Sequence, residues 1–140
     1  MITLEENKLD VNTYLYLRDS ANWKTLKEEQ AKKALENSLF TLCIYMDGQP
    51  KGMGRIVGDG AVICYIQDLV IHPDARGLGL GKKILSRLIE FVKEEQLEDT
   101  QMMLDLMCAK GREEFYEGFE FIARPTDNLG PGMIRYLNKE

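Results

Sequence analysis

Apolar residues change their spacing along the chain, and each change of period marks an element. Ile2 to Glu5 alternate apolar and polar positions, as a short first strand does. In VNTYLYLRDSANW, Val11, Tyr14 and Leu15 fall at helical spacing. TLKEEQAKKALENS then opens with Thr25-x-x-Glu28, a capping-box pattern, and carries Ala31, Ala34 and Leu35 on one face. Two helices are therefore predicted early in the chain.

The texture then turns to that of strands. LFTLCIYM is rich in apolar and β-branched residues, and Asp47-Gly48 with Pro50 supplies turn chemistry. KGMGRIV, the Gly58-Asp59-Gly60 turn and the long run AVICYIQDLVI complete an antiparallel meander, which Pro73 ends because it cannot donate to a ladder. Ile84, Leu85, Leu88, Phe91 and Val92 then form a helical stripe, with Lys82, Lys83, Arg87 and Lys93 largely off it. QMMLDLM reads as a fifth strand, and a strand–helix–strand crossover makes it parallel to the preceding one. REEFYEG reads as a short helix, and FEFIAR and MIRYL as two closing strands around the loop PTDNLGPG. The class is α+β, a mixed sheet with helices packed on it.

Length and composition set the frame. One domain over residues 1–140 is the simplest reading, long enough for a core without metals or disulfides. Hydrophobic content of 44% and charged content of 29% are those of an ordinary globular protein. A net charge of −5 argues against nucleic-acid or anionic-membrane partners and favours cationic ligands. Cys43, Cys64 and Cys108 show no C-x-x-C spacing and lie in apolar runs, as buried thiols do. MITLEENKLD lacks a signal-peptide pattern, and no run approaches a membrane span, so a reduced, cytoplasmic setting is expected.

The stretch HPDARGLGLGKKIL carries the chemistry. Gly77, Gly79 and Gly81 lie between a strand and a helix, where glycine lets backbone N–H groups converge and the helix N-terminus adds unsatisfied donors. Arg76 and Lys82 add charge at the rim, so phosphate oxygens are the natural ligand. The loop is not a Walker A sequence: Lys83 stands where Ser or Thr would hold magnesium, and Arg76 where the first glycine would be. It is not a Rossmann turn either, since Lys82 or Ile84 would fill the third glycine slot.

LVIHPDARGLGLG followed further on by FYEGFEF resembles the GNAT superfamily of N-acetyltransferases. The family's R/Q-x-x-G-x-G/A motif matches Arg76, Gly79 and Gly81, and its late tyrosine matches Tyr116. The order of elements fits over nearly the full length. The resemblance implies a mixed, mostly antiparallel sheet with helices on both faces and a crossover from the fourth strand through a helix to the fifth at the acetyl-CoA site. It implies acetyl-CoA as co-substrate, no metal, and transfer to a primary amine of a small molecule or peptide by direct attack in a ternary complex. Backbone groups of Leu69, Val70 and Ile71 would bond the pantetheine, and an N–H near Val70 would polarise the thioester carbonyl. Arg76, Gly77, Leu78, Gly79, Leu80, Gly81 and Lys82 would hold the pyrophosphate.

Tyr116 corresponds to the family's general acid. A phenol with a pKa of about 10 is protonated at neutral pH and suits donation to a thiolate whose acid has a pKa of about 8.5. Asp68 is the candidate base, with acceptor positioning or a structural role as the alternative; Tyr65 and Gln67 share its strand. Relatives usually show FYEKxGF, whereas Glu120 here occupies the usual glycine position and Gly118 lies two residues earlier. Either a glutamate takes a positive φ there or the turn has moved. Arg124 reads as a solvated loop arginine or as a ligand on the acceptor side, His72 as a surface loop histidine, and Trp23 and Tyr14 as core or as lining of the acceptor pocket. A non-catalytic acyl-CoA-binding module is the alternative function. Many relatives form homodimers through sheet edges or C-terminal strands, and no segment of this chain by itself requires it.

Overall fold

Polar side chains decide where several elements begin. In the computed structural model, which describes residues 1–139, Asp10 Oδ1 accepts from the Thr13 amide at 2.8 Å and caps helix α1 (Val11–Ser20). Helix α2 (Glu28–Glu36) starts later than its capping-box pattern predicts: Lys27 is the N-cap residue and no side chain caps it. A tertiary contact overrides the local signal. The Lys24 carbonyl accepts from Arg18 Nη2 at 3.1 Å, and Leu26 packs against the core beneath α1, so the chain is drawn through Thr25 without turning.

The strands are β1 (Ile2–Glu6), β2 (Phe40–Met46), β3 (Gln49–Gly58), β4 (Ile63–Ile71) and β5 (Met103–Leu106). They lie in the order β1-β2-β3-β4-β5, antiparallel throughout except for the parallel β4–β5 pair. Asp59 Oδ1 takes the amides of Ala61, Val62 and Ile63, which delays β4 to Ile63. Pro73 ends β4 as predicted and opens a 3-10 turn, Pro73–Ala75. Helix α3 (Leu80–Glu95) joins β4 to β5.

Helices cover both faces of this sheet. On one, Tyr14 and Leu17 of α1 and Ala31 of α2 pack with Cys43, Met53 and Val70. On the other, Ile84, Leu85 and Leu88 of α3 are fully buried, and Phe91 stacks on Phe40 with ring centroids 4.3 Å apart. Gly52 and Gly54 let α3 approach: a Cβ at Gly54 would lie 2.9 Å from Leu88 Cδ1 and 3.1 Å from Ile84 Cγ2. Arg87 of α3 reaches the sheet edge, donating to Glu6 Oε2 at 2.7 Å across the Phe40 ring. Cys43 and Cys64 are buried as expected, while Cys108 is exposed.

The chain divides into two units, Met1–Leu106, which holds the whole sheet, and the segment from Met107 onward. Helix α4 (Glu113–Glu117) forms in the second unit where predicted. Its exit settles the glycine question. Phe121 donates its amide to the Tyr116 carbonyl at 3.2 Å and Glu120 to the Glu117 carbonyl at 3.0 Å, the paired bonds of a Schellman turn. Glu120 sits at the left-handed position, φ 71°, while Gly118 is right-handed at φ −63°. The turn has not moved; a glutamate bears its strain.

FEFIAR and MIRYL do not become strands. Glu120 interrupts the extended run of the first, and Pro125 removes a donor just after it. Between the two segments the chain closes on itself: Thr126 donates to the Leu129 carbonyl at 2.8 Å and Arg124 Nε to the Gly130 carbonyl at 2.6 Å. Arg124 is thus the loop arginine expected. Strand propensity without a paired neighbour leaves Met133 and Ile134 exposed.

Two substitutions test this packing. Gly54→Ala forces its methyl against Leu88 and is expected to lower unfolding free energy by about 1–3 kcal/mol in urea titration. Glu120→Gly relieves a left-handed L-residue and is expected to raise it by about 0.5–1 kcal/mol, after the extra freedom of unfolded glycine is subtracted.

Candidate active site

A bulge divides β4 into two halves. Arg55 pairs with Gln67 and Met53 with Val70, so Gly54 alone faces both Asp68 and Leu69. Asp68 is the extra residue, at φ 58°, the left-handed position that a bulge of this kind usually gives to glycine. Before the bulge β4 is paired on both edges, Ile63 to Ile66 running parallel to Met103 to Leu106. Past it, within the first unit, β4 is paired with β3 alone. The His72 amide donates to the Lys51 carbonyl at 2.7 Å, and alternation then turns the Val70 amide toward β3. The Leu69 and Ile71 amides point to the other edge.

That open edge runs through Pro73–Ala75 into the glycine loop. Gly77 and Gly79 both adopt the left-handed conformation, at φ 80° and 78°. Among the described residues, no atom beyond the adjoining ones lies within 4 Å of where a Cβ on either would sit. Gly79 is the N-cap of α3 and offers no side chain to cap it, so the first amides of a 16-residue helix remain as donors at the loop. Leu80 is buried and anchors the helix start, while Arg76, Leu78, Lys82 and Lys83 are exposed around it. The arrangement is a backbone cradle rimmed by cations, and the space a Cβ would fill suits pyrophosphate oxygens.

Asp68, expected as a base, is held on three sides. Its Oδ2 accepts from Tyr14 Oη at 2.5 Å and from Arg55 Nε at 2.8 Å, and its Oδ1 accepts from Arg18 Nη1 at 2.8 Å. The carboxylate is 2% exposed and each arginine side chain 12%. Both guanidiniums lie 5.8 Å from the Tyr14 ring centre, and Arg18 also lies 5.3 Å from that of Trp23. Burial, then the bond to Asp68, pushes the Tyr14 hydroxyl above the usual tyrosine range. Tyr14 is therefore core and network together, and Trp23 covers Arg18 at the surface. Stripping one partner from such a buried pair costs about 3–5 kcal/mol. Arg18 and Arg55 were not singled out from the sequence. The available signal was an aspartate inside an apolar strand, which needs cations, beside an arginine inside the neighbouring strand.

In the second unit, Tyr116 is half-buried on α4 between Phe115 and Phe121, ring centroids 5.1 Å and 6.0 Å away, both edge-on. Burial raises its hydroxyl above the ordinary tyrosine range; the nearby Cys108 thiol adds to the rise and Arg112 opposes it. The phenol is held protonated through neutral pH. His72 lies at the end of β4, where its ring stacks on Tyr16 with centroids 5.6 Å apart.

Known proteins resemble this chain in sequence and in fold. The model of the acetyltransferase (GNAT) family matches residues 8–121. An uncharacterized N-acetyltransferase ycf52 of Pyropia yezoensis is 32% identical over 135 residues, spanning 92% of this chain and 75% of that protein. A ycf52-like N-acetyltransferase of Prochlorococcus marinus is 30% identical over 125 residues, spanning 86% and 67%. Among solved structures, a probable acetyltransferase from meticillin-resistant Staphylococcus aureus superposes with a TM-score of 0.83 at 28% identity, covering 97% of this chain and all of that one. Sequence and structural kinship agree, and the chain belongs to the GNAT family of acetyltransferases.

Proposed function

We infer that this N-acetyltransferase moves the acetyl group of acetyl-CoA to a primary amine of a small molecule or peptide, by direct attack in a ternary complex. One observation carries the reading: the half of β4 that is paired on one edge only leads straight into the left-handed glycines and the uncapped start of α3. A strand edge suits the two amides of the pantetheine arm, and a backbone cradle suits its pyrophosphate.

In this reading the Leu69 and Ile71 amides bond the pantetheine arm and the thioester carbonyl, while Val70 keeps the strand seated on β3. Arg76, Gly77, Leu78, Gly79, Leu80, Gly81 and Lys82 surround the pyrophosphate, through amides first and charged side chains second. Nitrogen attacks the polarised carbonyl carbon; the C–N bond forms and the C–S bond breaks. Tyr116 gives its phenolic proton to the departing thiolate, a transfer suited to a group kept neutral by burial. The amine must arrive unprotonated; after attack its nitrogen loses one proton to solvent or to a base and keeps the other as the amide N–H. Asp68 supports the base role weakly, because three donors already occupy its oxygens.

Calorimetric titration with acetyl-CoA, with ATP and NAD as controls, is the direct test. Binding of acetyl-CoA alone is expected, and a folded protein that fails to bind it would retire the reading. Gly79→Val is expected to weaken that binding by at least about tenfold, since it fills the cradle and strains the N-cap. Tyr116→Phe is expected to lower kcat by about a hundredfold or more in a thiol-release assay over an amine panel, with acetyl-CoA affinity unchanged. Because the Tyr116 hydroxyl is raised, the protonated acid persists as pH rises, so any alkaline loss of kcat due to Tyr116 is expected above about pH 10. A Tyr116-dependent fall already at pH 8 would refute that assignment.

A further inference from the structure

The bulge that frees the outer edge of β4 is strained at its own centre. Asp68 holds a left-handed φ of 58° inside a buried strand, a place where glycine fits without penalty and aspartate does not. What aspartate adds is the carboxylate, and that carboxylate is clamped from two elements: Tyr14 and Arg18 of α1, and Arg55 of β3. The donors approach both oxygens, so they fix the position and the rotation of the residue. Without the extra residue the strand beyond it would slip by one in register, which would exchange the amides facing β3 for those facing outward.

We propose that Tyr14, Arg18 and Arg55 are positioning residues which, through the Asp68 carboxylate, hold the β4 bulge in the register that turns the Leu69 and Ile71 amides to the open edge. The clamp is a property of the strand itself; its effect on catalysis rests on the acetyl-transfer reading given above. Asp68 then serves the reaction by holding the strand and not by taking the amine proton. Arg18 extends the same hold to the α1–α2 connection, because its Nη2 donates to the Lys24 carbonyl.

The test pairs a measurement that needs no ligand with one that does. Tyr14→Phe removes one donor and leaves both arginines on Asp68; Asp68→Asn keeps a side chain tolerant of left-handed backbone while removing the charge. Arg87→Met is the control, since it breaks an ion pair at the β1–α3 edge. Amide hydrogen exchange is followed by NMR at Val70 and His72, with Leu42 and Ile44 as reference positions in β2. Tyr14→Phe is expected to speed exchange at Val70 and His72 by about tenfold and at the reference positions by less than about twofold. The Arg87 control is expected to leave Val70 and His72 unmoved.

In turnover, Tyr14→Phe and Asp68→Asn are both expected to raise the KM for acetyl-CoA by about tenfold, with a much smaller change in kcat. Exchange that is unchanged at Val70 and His72, or that rises equally at Leu42 and Ile44, overturns the clamp. So does an Asp68→Asn enzyme with lowered kcat, unchanged KM and a lost acidic limb, the signature of a base. Wild-type protein that binds no acetyl-CoA would retire the transfer reading, and the exchange result would still decide the clamp.

Discussion

Beyond Asp68, β4 is a sheet strand on its β3 edge and has no strand partner on its other edge among the described residues of the first unit. Much of what is distinctive in the first unit holds it so. The parallel pairing with β5 stops at Ile66, the bulge at Asp68 follows at once, and the backbone beyond it is kept flat against β3 by the His72–Lys51 bond. On one face the carboxylate network ties the bulge to α1. On the other, the missing side chains of Gly52 and Gly54 let α3 lie close under the same strands. A strand free on one edge is thus gripped above, below and along its remaining edge.

Charge in this molecule is local before it is global. The chain carries a net −5, yet two guanidiniums converge on one carboxylate beneath α1, and Arg76, Lys82 and Lys83 surround an uncapped helix start. Screening confines the influence of exposed acidic groups to about 8–10 Å at ordinary salt, so the bulk figure says little about either place. A preference for cationic acceptors argued from net charge alone therefore has a weak footing beside the charges that β4 and α3 actually present.

Wherever the signal was local, the sequence was legible. Helical spacing located α1 and α3, turn residues separated β2, β3 and β4, and Pro73 marked the end of β4. The strand–glycine–helix order of the loop was also visible in the order of its residues. The misreadings share one cause, a long-range contact that local pattern does not encode. Thr25 looked like a cap until Arg18 drew the Lys24 carbonyl aside. FEFIAR and MIRYL have strand composition, but composition supplies no neighbour to pair with. For Asp68 the base and the structural role both stayed open, because Tyr14 and Arg18, which hold its carboxylate, lie far from it along the chain. Glu120 is the converse: the sequence departs from its family's glycine, and the backbone keeps the glycine conformation regardless.

Trp23 gives the molecule a further property. It is the single tryptophan of the chain, partly exposed, with the Arg18 guanidinium 5.3 Å from its ring centre. Indole emission is sensitive to a cation held against the ring and to contact with water. Light absorbed at the red edge of the protein's spectrum is therefore re-emitted from one known corner, where α1 gives way to the connection toward α2. Arg18 joins that corner directly to the carboxylate in β4, so the protein carries its own optical reporter beside the network on which that strand is hung.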